Sequence, residues 1–223
     1  MGIEIPQNKF LILDGAMGTV LQQRGLSPQG RPELLNLTEP ELLNSVYKEY
    51  IAAGSQVIYA NTFGANGLKL AKTGHSVEEV VGAAIAVAKK AAAGTGTLVA
   101  LDVGPLGELL EPMGTLSFER AYDLFREMAE AGAKAGADLI VVETMTDLYE
   151  AKAALLAAKE AAHLPVFVTM SFDAGGRTFT GCTVASMART LEGLGADAIG
   201  LNCSLGPDLS LIHISEPTRQ EAI

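Results

Sequence analysis

The chain has 223 residues, of which 48% are hydrophobic and 19% charged, a composition typical of a globular protein with one sizeable domain. Its 26 acidic residues outnumber its 16 basic residues, and the resulting net charge of −10 argues against a nucleic-acid partner because phosphate backbones repel it. No apolar run reaches the roughly 18 residues that a membrane helix needs, so a membrane partner is not expected either.

In chain order, the first segment lacks the basic-then-apolar pattern of a signal peptide, which predicts a cytoplasmic protein. Short runs rich in Val, Ile and Leu then alternate with segments whose apolar residues recur at spacings of three and four, which indicates strands followed by amphipathic helices. The predicted strands are Phe10–Ala16, Gln56–Phe63, Thr97–Gly104, Ala137–Met145, Pro165–Phe172 and Ala198–Ser204. The predicted helices are Pro40–Ala53, Val77–Ala93, Ser117–Ala135, Leu148–Ala161 and Val184–Leu194. Continuous apolar strands joined by helices indicate a parallel sheet that helices cover.

Two α/β architectures have this pattern, the doubly wound sheet and the (β/α)8 TIM barrel. The turn in ILDGAMGTVLQQRG lacks the GxGxxG spacing of a dinucleotide-binding fold, and no P-loop phosphate motif occurs in the sequence. Polar residues such as Asp14, Asp102 and Glu143 stand at predicted strand ends, and in a barrel these ends meet at one face, where barrel enzymes keep their chemistry. The sequence therefore favours the TIM barrel.

The length of the repeat predicts that this barrel is incomplete. The predicted strands begin near residues 10, 56, 97, 137, 165 and 198, so that eight βα units would need about 300 residues. We therefore expect a barrel truncated after about six βα units, spanning residues 1–208. Beyond Asp208 the helical pattern stops, and the stretch LSLIHISEPTRQEAI resembles the translation of a sequencing-library adapter. Residues 209–223 are thus predicted to be a non-native tail in which His213 and Glu216 carry no chemistry, the alternative being a short divergent helix.

The two cysteines are too few for a disulfide framework and leave two possible roles open. Cys203, in GLNCSLGP, closes the last predicted strand, where a thiolate could bind a metal or attack a substrate. The alternative is a small buried apolar side chain, and since zinc takes about four ligands and no CxxC or HxxxH pair is present, spacing alone supports a metal only weakly. Cys182 follows a glycine at a helix start and is interpreted as a packing residue.

Asp14 and Glu143 form the strongest pair of candidate binding residues. Two carboxylates at a barrel mouth could hold a substrate ammonium or act as an acid–base pair, although capping a helix or pairing with a base is the alternative. The turn Gly15–Thr19, which includes Ala16, offers backbone amides that suit an anion such as a carboxylate. Together these groups could hold both charged ends of an amino acid.

Other polar residues near the strand ends are weaker candidates. Asn61, Thr62, Asn66 and Asn202 have donors and acceptors that suit orienting a ligand, although Asn also closes turns. Asp102 has the right position but no assigned role. His75 and His163 are interpreted as solvated surface residues.

Four motifs in register resemble the homocysteine S-methyltransferase (homocysteine-binding) domain family. They are LDGAMGT (13–19), ANTFGAN (60–66), VVETM (141–145) and GLNCSLGP (200–207), at the ends of the first, second, fourth and sixth predicted strands. The resemblance covers residues 10–208 and is greatest to the N-terminal modules of cobalamin-dependent methionine synthases.

The resemblance implies a zinc-dependent methyltransferase that passes a methyl group to the sulfur of L-homocysteine and so makes methionine. In this family three cysteine thiolates hold the zinc; Cys203 matches one, and the other two form an adjacent pair in a GGCCGT-type motif that this sequence does not contain. Asp14 and Glu143 match the positions that hold the substrate ammonium, and the Gly15–Ala16 turn lies near its carboxylate. With one of three ligands, this chain is expected to bind zinc poorly and to be inactive by itself.

The methyl donor and two other functions remain open. The motifs NTFGAN and NCSLGP favour methylcobalamin over S-methylmethionine or betaine, with the donor carried by a separate domain or molecule. One alternative function is a barrel aldolase or isomerase with Glu143 as general base, which would need a late phosphate loop or a Schiff-base lysine. Another is a module that binds an amino acid without turnover.

Overall fold

The computed structural model describes residues 10–27 and 30–204, which form a parallel sheet covered by helices. The strands are β1 (Val57–Tyr59), β2 (Leu98–Val103), β3 (Leu139–Met145), β4 (Val166–Met170) and β5 (Ala198–Leu201). The helices are α1 (Met17–Gln23), α2 (Leu35–Thr38), α3 (Pro40–Ala52), α4 (Gly67–Leu70), α5 (Val77–Ala92), α6 (Phe118–Ala135), α7 (Leu148–Ala162) and α8 (Val184–Gly193), with a 3-10 turn at Pro32–Leu34. The predicted tail, residues 209–223, lies outside the described residues.

The order of the strands is that of a barrel. Each strand pairs in parallel with the next one along the chain, in the order β1-β2-β3-β4-β5. A doubly wound sheet instead reverses its strand order at a switch point. The fold class expected from the sequence, an α/β protein with βα units in barrel order, is therefore confirmed.

The first predicted strand, Phe10–Ala16, is wrong as a strand. Leu13 makes only an isolated parallel bridge to Val57, so the described part of the sheet has five strands rather than six. The carbonyl of Ile12 accepts hydrogen bonds from the backbone N–H groups of Gln56 and Val57, but the N–H of Ile12 donates to the side chain of Gln56 (3.0 Å). A side chain thus takes the place of a ladder carbonyl, and the segment lies beside β1 without extending the ladder.

The two faces of the sheet bury different sets of apolar residues. Val99, Leu101 and Val103 of β2 belong to the large core between the sheet and the helices. Leu98 and Ala100 belong to a smaller cluster on the opposite face, which also contains Val57, Leu139, Val141 and Phe167. Side chains alternate between the two faces of a strand, so every second residue points to this second face, which is the inside when strands in this order form a barrel. We call this second face the inner face.

All five predicted helices are confirmed to within one residue at each end. Their N-termini show why: Ser76, Ser117 and Thr183 each accept a hydrogen bond from the backbone N–H three residues later, as capping residues do. No helix in the described residues is long and apolar enough to cross a membrane.

Candidate functional site

Three acidic side chains lie near one another at the carboxyl end of the sheet: Asp14, Asp102 and Glu143. Asp102 continues the inner row of Leu98 and Ala100 on β2. Glu143 continues the inner row of Leu139 and Val141 on β3. Asp14 directly follows the residue that bridges to β1. We refer to these three carboxyl groups as the acidic mouth.

Asp14 is held in place by β1. Its Oδ2 accepts a hydrogen bond from the backbone N–H of Tyr59 at 2.8 Å. Burial raises the pKa of Asp14 to about 7, against the lowering effect of that hydrogen bond, and the nearby charge of Glu143 raises it further. A buried carboxyl group that is costly to ionise gains from a cation placed beside it.

Glu143 is joined to Cys203 through one amide. The Nδ2 of Asn202 donates to Oε2 of Glu143 at 3.0 Å and also lies 3.7 Å from Sγ of Cys203. Oδ1 of Asn202 accepts from the backbone N–H of Thr144 (3.0 Å), and the Thr144 hydroxyl lies 3.6 Å from the same Sγ. Burial raises the pKa of Glu143, while the hydrogen bond from Asn202 lowers it. A carboxyl group and a thiol thus share one positioning side chain.

The backbone around this link is in an unusual conformation. Thr144 and Cys203 both have left-handed φ angles, 59° and 47°, which are uncommon for residues other than glycine and especially so for a β-branched one. The carbonyl of Asn202, between them in the network, accepts hydrogen bonds from the hydroxyls of Ser171 (2.9 Å) and Ser204 (3.0 Å). Strained residues of this kind cluster at functional sites, where the surrounding bonds hold them in place.

Asp102 is the most enclosed member of the acidic mouth. It is 7% exposed, and its Oδ1 is buried without a hydrogen-bond partner. The Thr62 hydroxyl lies 3.0 Å from the N–H of Asp102 and 2.7 Å from its carbonyl oxygen, so it fixes the backbone at this point. Burial raises the pKa of Asp102 well above its usual range, and the charges of Glu143 and Asp14 raise it further.

Tyr59 is a residue of this site that the sequence motifs do not indicate. Burial raises the pKa of Tyr59, and the charges of Glu143, Asp102 and Asp14 raise it further. Its ring packs against the inner cluster. Counting every second residue along β1 from Val57 leads to Tyr59, so strand alternation is the signal that finds it.

Three other predicted binding residues, Asn61, Thr62 and Asn66, have protein partners. The side chain of Asn61 donates to the carbonyl of Pro32 (2.6 Å), and Asn66 caps α4 by accepting from the N–H of Lys69. Thr62 is fully buried against Asp102. A Cβ added at Gly15 would lie 2.9 Å from the ring of Tyr50, and Ala16 precedes α1 without a side-chain capping bond. A role for Asn61, Thr62, Gly15 or Ala16 in binding substrate stays a prediction.

The residues interpreted as structural or solvated lie as expected. Cys182 is half-buried against the main core, with its Sγ 3.2 Å from the carbonyl of Thr183. His75 pairs with Glu79 on an exposed helix start, and His163 ends α7 as an exposed residue.

The described residues do not complete a zinc site. Cys203 is an exposed thiol, but residues 10–27 and 30–204 contain no group of three His, Cys, Asp or Glu side chains that could hold a metal ion. Zinc in proteins takes about four ligands. The described residues thus offer one exposed thiol at this position and no set of side chains that could hold zinc.

Comparison with curated proteins finds methionine synthases. The methionine synthase of Mycobacterium tuberculosis is 31% identical over 241 residues, an alignment that covers 99% of this chain and 20% of that protein. The methionine synthase of Mycobacterium leprae is 32% identical over 240 residues, with 97% of this chain and 20% of that protein covered. This chain thus spans about a fifth of the length of the curated relatives it matches.

Comparison with solved structures finds the homocysteine methyltransferase MmuM of Escherichia coli. Its metallated form has a TM-score of 0.80 and 25% identity, with 93% of this chain and 80% of that chain covered. Its oxidized form has a TM-score of 0.76 and 27% identity, with 86% and 73% covered. The model of the family described as homocysteine S-methyltransferase matches residues 11–222. The chain therefore belongs to the homocysteine S-methyltransferase family.

Proposed function

We propose that this chain is the homocysteine-binding domain of a methionine synthase, which transfers a methyl group to the sulfur of L-homocysteine. The observation that supports it most directly is the amide of Asn202, whose nitrogen lies 3.0 Å from Glu143 and 3.7 Å from Cys203. Homocysteine carries its ammonium and its sulfur three carbon atoms apart. Glu143, as an acceptor for the ammonium, and Cys203, near the sulfur, both contact Asn202, and this spacing suits the two ends of homocysteine.

In the proposed reaction the thiol of homocysteine releases its proton to water and its sulfur forms a bond to the methyl carbon. The bond between the methyl group and its donor breaks, and the donor keeps the electron pair. Asp14 and Glu143 bind the substrate ammonium and so fix the substrate within the mouth. Asn202 holds the Glu143 carboxyl and the Cys203 thiol in register.

Zinc is part of the proposal for the longer protein. Cys203 would be one ligand, with two further thiolates from outside this sequence. Bound zinc would supply a deprotonated substrate thiol at neutral pH, since a coordinated thiol loses its proton. The proposed donor is methylcobalamin on another domain; the basis for this choice is the likeness of NTFGAN and NCSLGP to the cobalamin-dependent group.

The test compares three variants of the full-length protein for zinc content, homocysteine affinity and methyl transfer. Cys203→Ala should lose both zinc and methyl transfer. Glu143→Gln should keep its zinc but bind homocysteine roughly ten- to a hundred-fold more weakly, since one charged hydrogen bond is worth about 1.5–3 kcal/mol. Cys182→Ala is the matched control, because its thiol lies against the main core, and should keep all three properties.

The outcomes separate the proposed function from its alternatives. Full zinc and full activity in Cys203→Ala would overturn the metal role of that thiol and the mechanism with it. Homocysteine binding without any methyl transfer in the unmodified protein would instead favour a binding module. Neither homocysteine binding nor methyl transfer in the unmodified protein would favour the aldolase or isomerase with Glu143 as general base.

A further inference from the structure

Asp102 is a buried carboxyl group with no partner in the described structure. It is 7% exposed and its Oδ1 is buried without a hydrogen bond, whereas most buried polar atoms in proteins have one. The neighbours that most affect it after burial are all acidic: Glu143, Asp14, Glu33 and the Cys203 thiol. Such an arrangement costs stability in the folded protein, so an unpaired group here calls for a ligand that pairs with it.

The position of Asp102 is fixed by its surroundings. It continues the inner row of β2, and the hydroxyl of Thr62 holds both its N–H and its carbonyl oxygen. A second buried oxygen without a partner, Oγ1 of Thr169, lies on β4, where Thr169 continues the inner row of Phe167. The described residues contain three more such atoms, on Asn36, Asn44 and Asn66, but these lie outside the strands, so Asp102 and Thr169 hold the two unpaired atoms on the inner face of the sheet.

The hydrogen bonds of the other two carboxyl groups leave room for the same ligand. Asp14 uses Oδ2 to accept from Tyr59, and Glu143 uses Oε2 to accept from Asn202. One oxygen of each therefore remains, together with the carboxyl of Asp102. A primary ammonium has three N–H donors and no acceptor, which matches three carboxyl groups.

We propose that Asp102 is the third acceptor for the ammonium group of the amino-acid substrate, completing the seat formed by Asp14 and Glu143. This inference rests on the proposed function and adds to it the residue that selects an α-amino thiol over a thiol without the amino group. Asp102 is thus a substrate-binding residue, and its burial without a partner in the ligand-free protein is the cost of that selectivity.

The experiment compares two thiols in the full-length protein: L-homocysteine and 4-mercaptobutanoic acid, which is homocysteine without its amino group. The dissociation constants give a preference ratio for each variant. Asp102→Asn, which keeps the shape of the side chain and removes its charge, should lower this preference about ten-fold, the effect of losing a charged hydrogen bond. Its affinity for 4-mercaptobutanoic acid should stay unchanged.

Asp138→Asn is the matched control. Asp138 stands directly before the N-terminal end of β3, opposite the end that carries the acidic mouth. It has partners, since its Oδ2 accepts hydrogen bonds from the N–H of Val99 and from Nζ of Lys89, both at 2.7 Å. This variant should lower the Tm of the ligand-free protein and leave the preference ratio unchanged. Asp102→Asn should not lower the ligand-free Tm, because no hydrogen bond of its side chain is lost.

Three results are decisive. An unchanged preference ratio in Asp102→Asn, while the unmodified protein prefers L-homocysteine, would overturn this inference and leave the proposed function intact. A clear fall in Tm, or loss of folding, in Asp102→Asn would assign the carboxyl a structural role and also overturn it. No preference for L-homocysteine in the unmodified protein would overturn the ammonium seat as a whole.

Discussion

At the scale of single residues, the molecule buries carboxyl groups in two ways. Those of the acidic mouth have few protein partners, whereas Glu150 on α7 has a defined one. It is 4% exposed, and its Oε1 accepts a hydrogen bond from the backbone N–H of Leu106 at 2.7 Å. Burial raises the pKa of Glu150 to about 7; the bond from Leu106 lowers it, Asp147 raises it and Lys69 lowers it. The group has a structural role, since it joins α7 to the loop after β2.

Glu150 should make the stability of the protein depend on pH. The unfolded chain ionises this group near its ordinary pKa of 4.5 and the folded protein near 7, so the folded state binds more protons in between. Its contribution is present below about pH 4.5 and is lost as the pH rises towards 7. Glu150→Gln keeps the acceptor for Leu106 and removes the charge. The variant should therefore gain about 1–3 kcal/mol relative to the unmodified protein between pH 5 and pH 8. Urea unfolding at both pH values measures this, and identical pH slopes would contradict it.

At the scale of elements, one type of connection occurs twice and ties the ends of α6 and α8 to the sheet. AGADL and LGADA end two helices with glycines in the left-handed conformation, Gly136 (φ 92°) and Gly195 (φ 84°). Two residues after each glycine stands an aspartate. Asp138 accepts hydrogen bonds from the backbone N–H of Val99 on the neighbouring strand and from the side-chain amine of Lys89. Asp197 does the same with Val166 and Lys159. The connection thus aligns the starts of adjacent strands.

Removing this acceptor should cost more than removing its ion pair. Asp138→Ala leaves the N–H of Val99 and the amine of Lys89 without their shared oxygen, and should lower the free energy of unfolding by about 1–3 kcal/mol. Lys89→Met removes only a partly exposed ion pair and should cost at most about 1 kcal/mol. Urea unfolding of both variants tests this order, and an equal loss in the two would show that the ion pair dominates.

The sequence predicts the helices that are long enough to show an apolar period and misses the short ones. The long helices follow from their apolar periodicity and from caps such as Ser117. The helices α2 and α4 have four residues each, too few to show a period, and so escape prediction. The four motifs predict that Asp14, Glu143 and Cys203 serve one site, and the structure links the last two through Asn202. The environment of Asp102 includes Asp14, Thr62 and Glu143, which are far from it in the sequence, so it cannot be read from the local sequence.

At the scale of the whole molecule, the sheet has two outer borders in the described residues. On one side the segment beside β1 exposes Phe10 (93%), Ile12 (54%) and Leu13 (38%). On the other side β5 pairs only with β4 within the described residues and exposes Ile199 (40%). Apolar side chains on a strand with a free backbone edge favour pairing between molecules. This arrangement predicts that the 223-residue chain associates with itself as its concentration rises.

A single charge on the border should suppress that association. Ile199→Lys places an ammonium on β5 at a position that is already partly exposed. Lysine side chains on edge strands prevent pairing between molecules in natural proteins. The variant should remain monomeric at concentrations where the unmodified chain forms larger species in light scattering, with its Tm little changed. Ala86→Lys adds the same charge to the exposed side of α5, away from both borders, and should associate like the unmodified chain. If both lysines reduce association equally, net charge rather than the border of β5 controls it; if neither does, the contact lies elsewhere on the molecule.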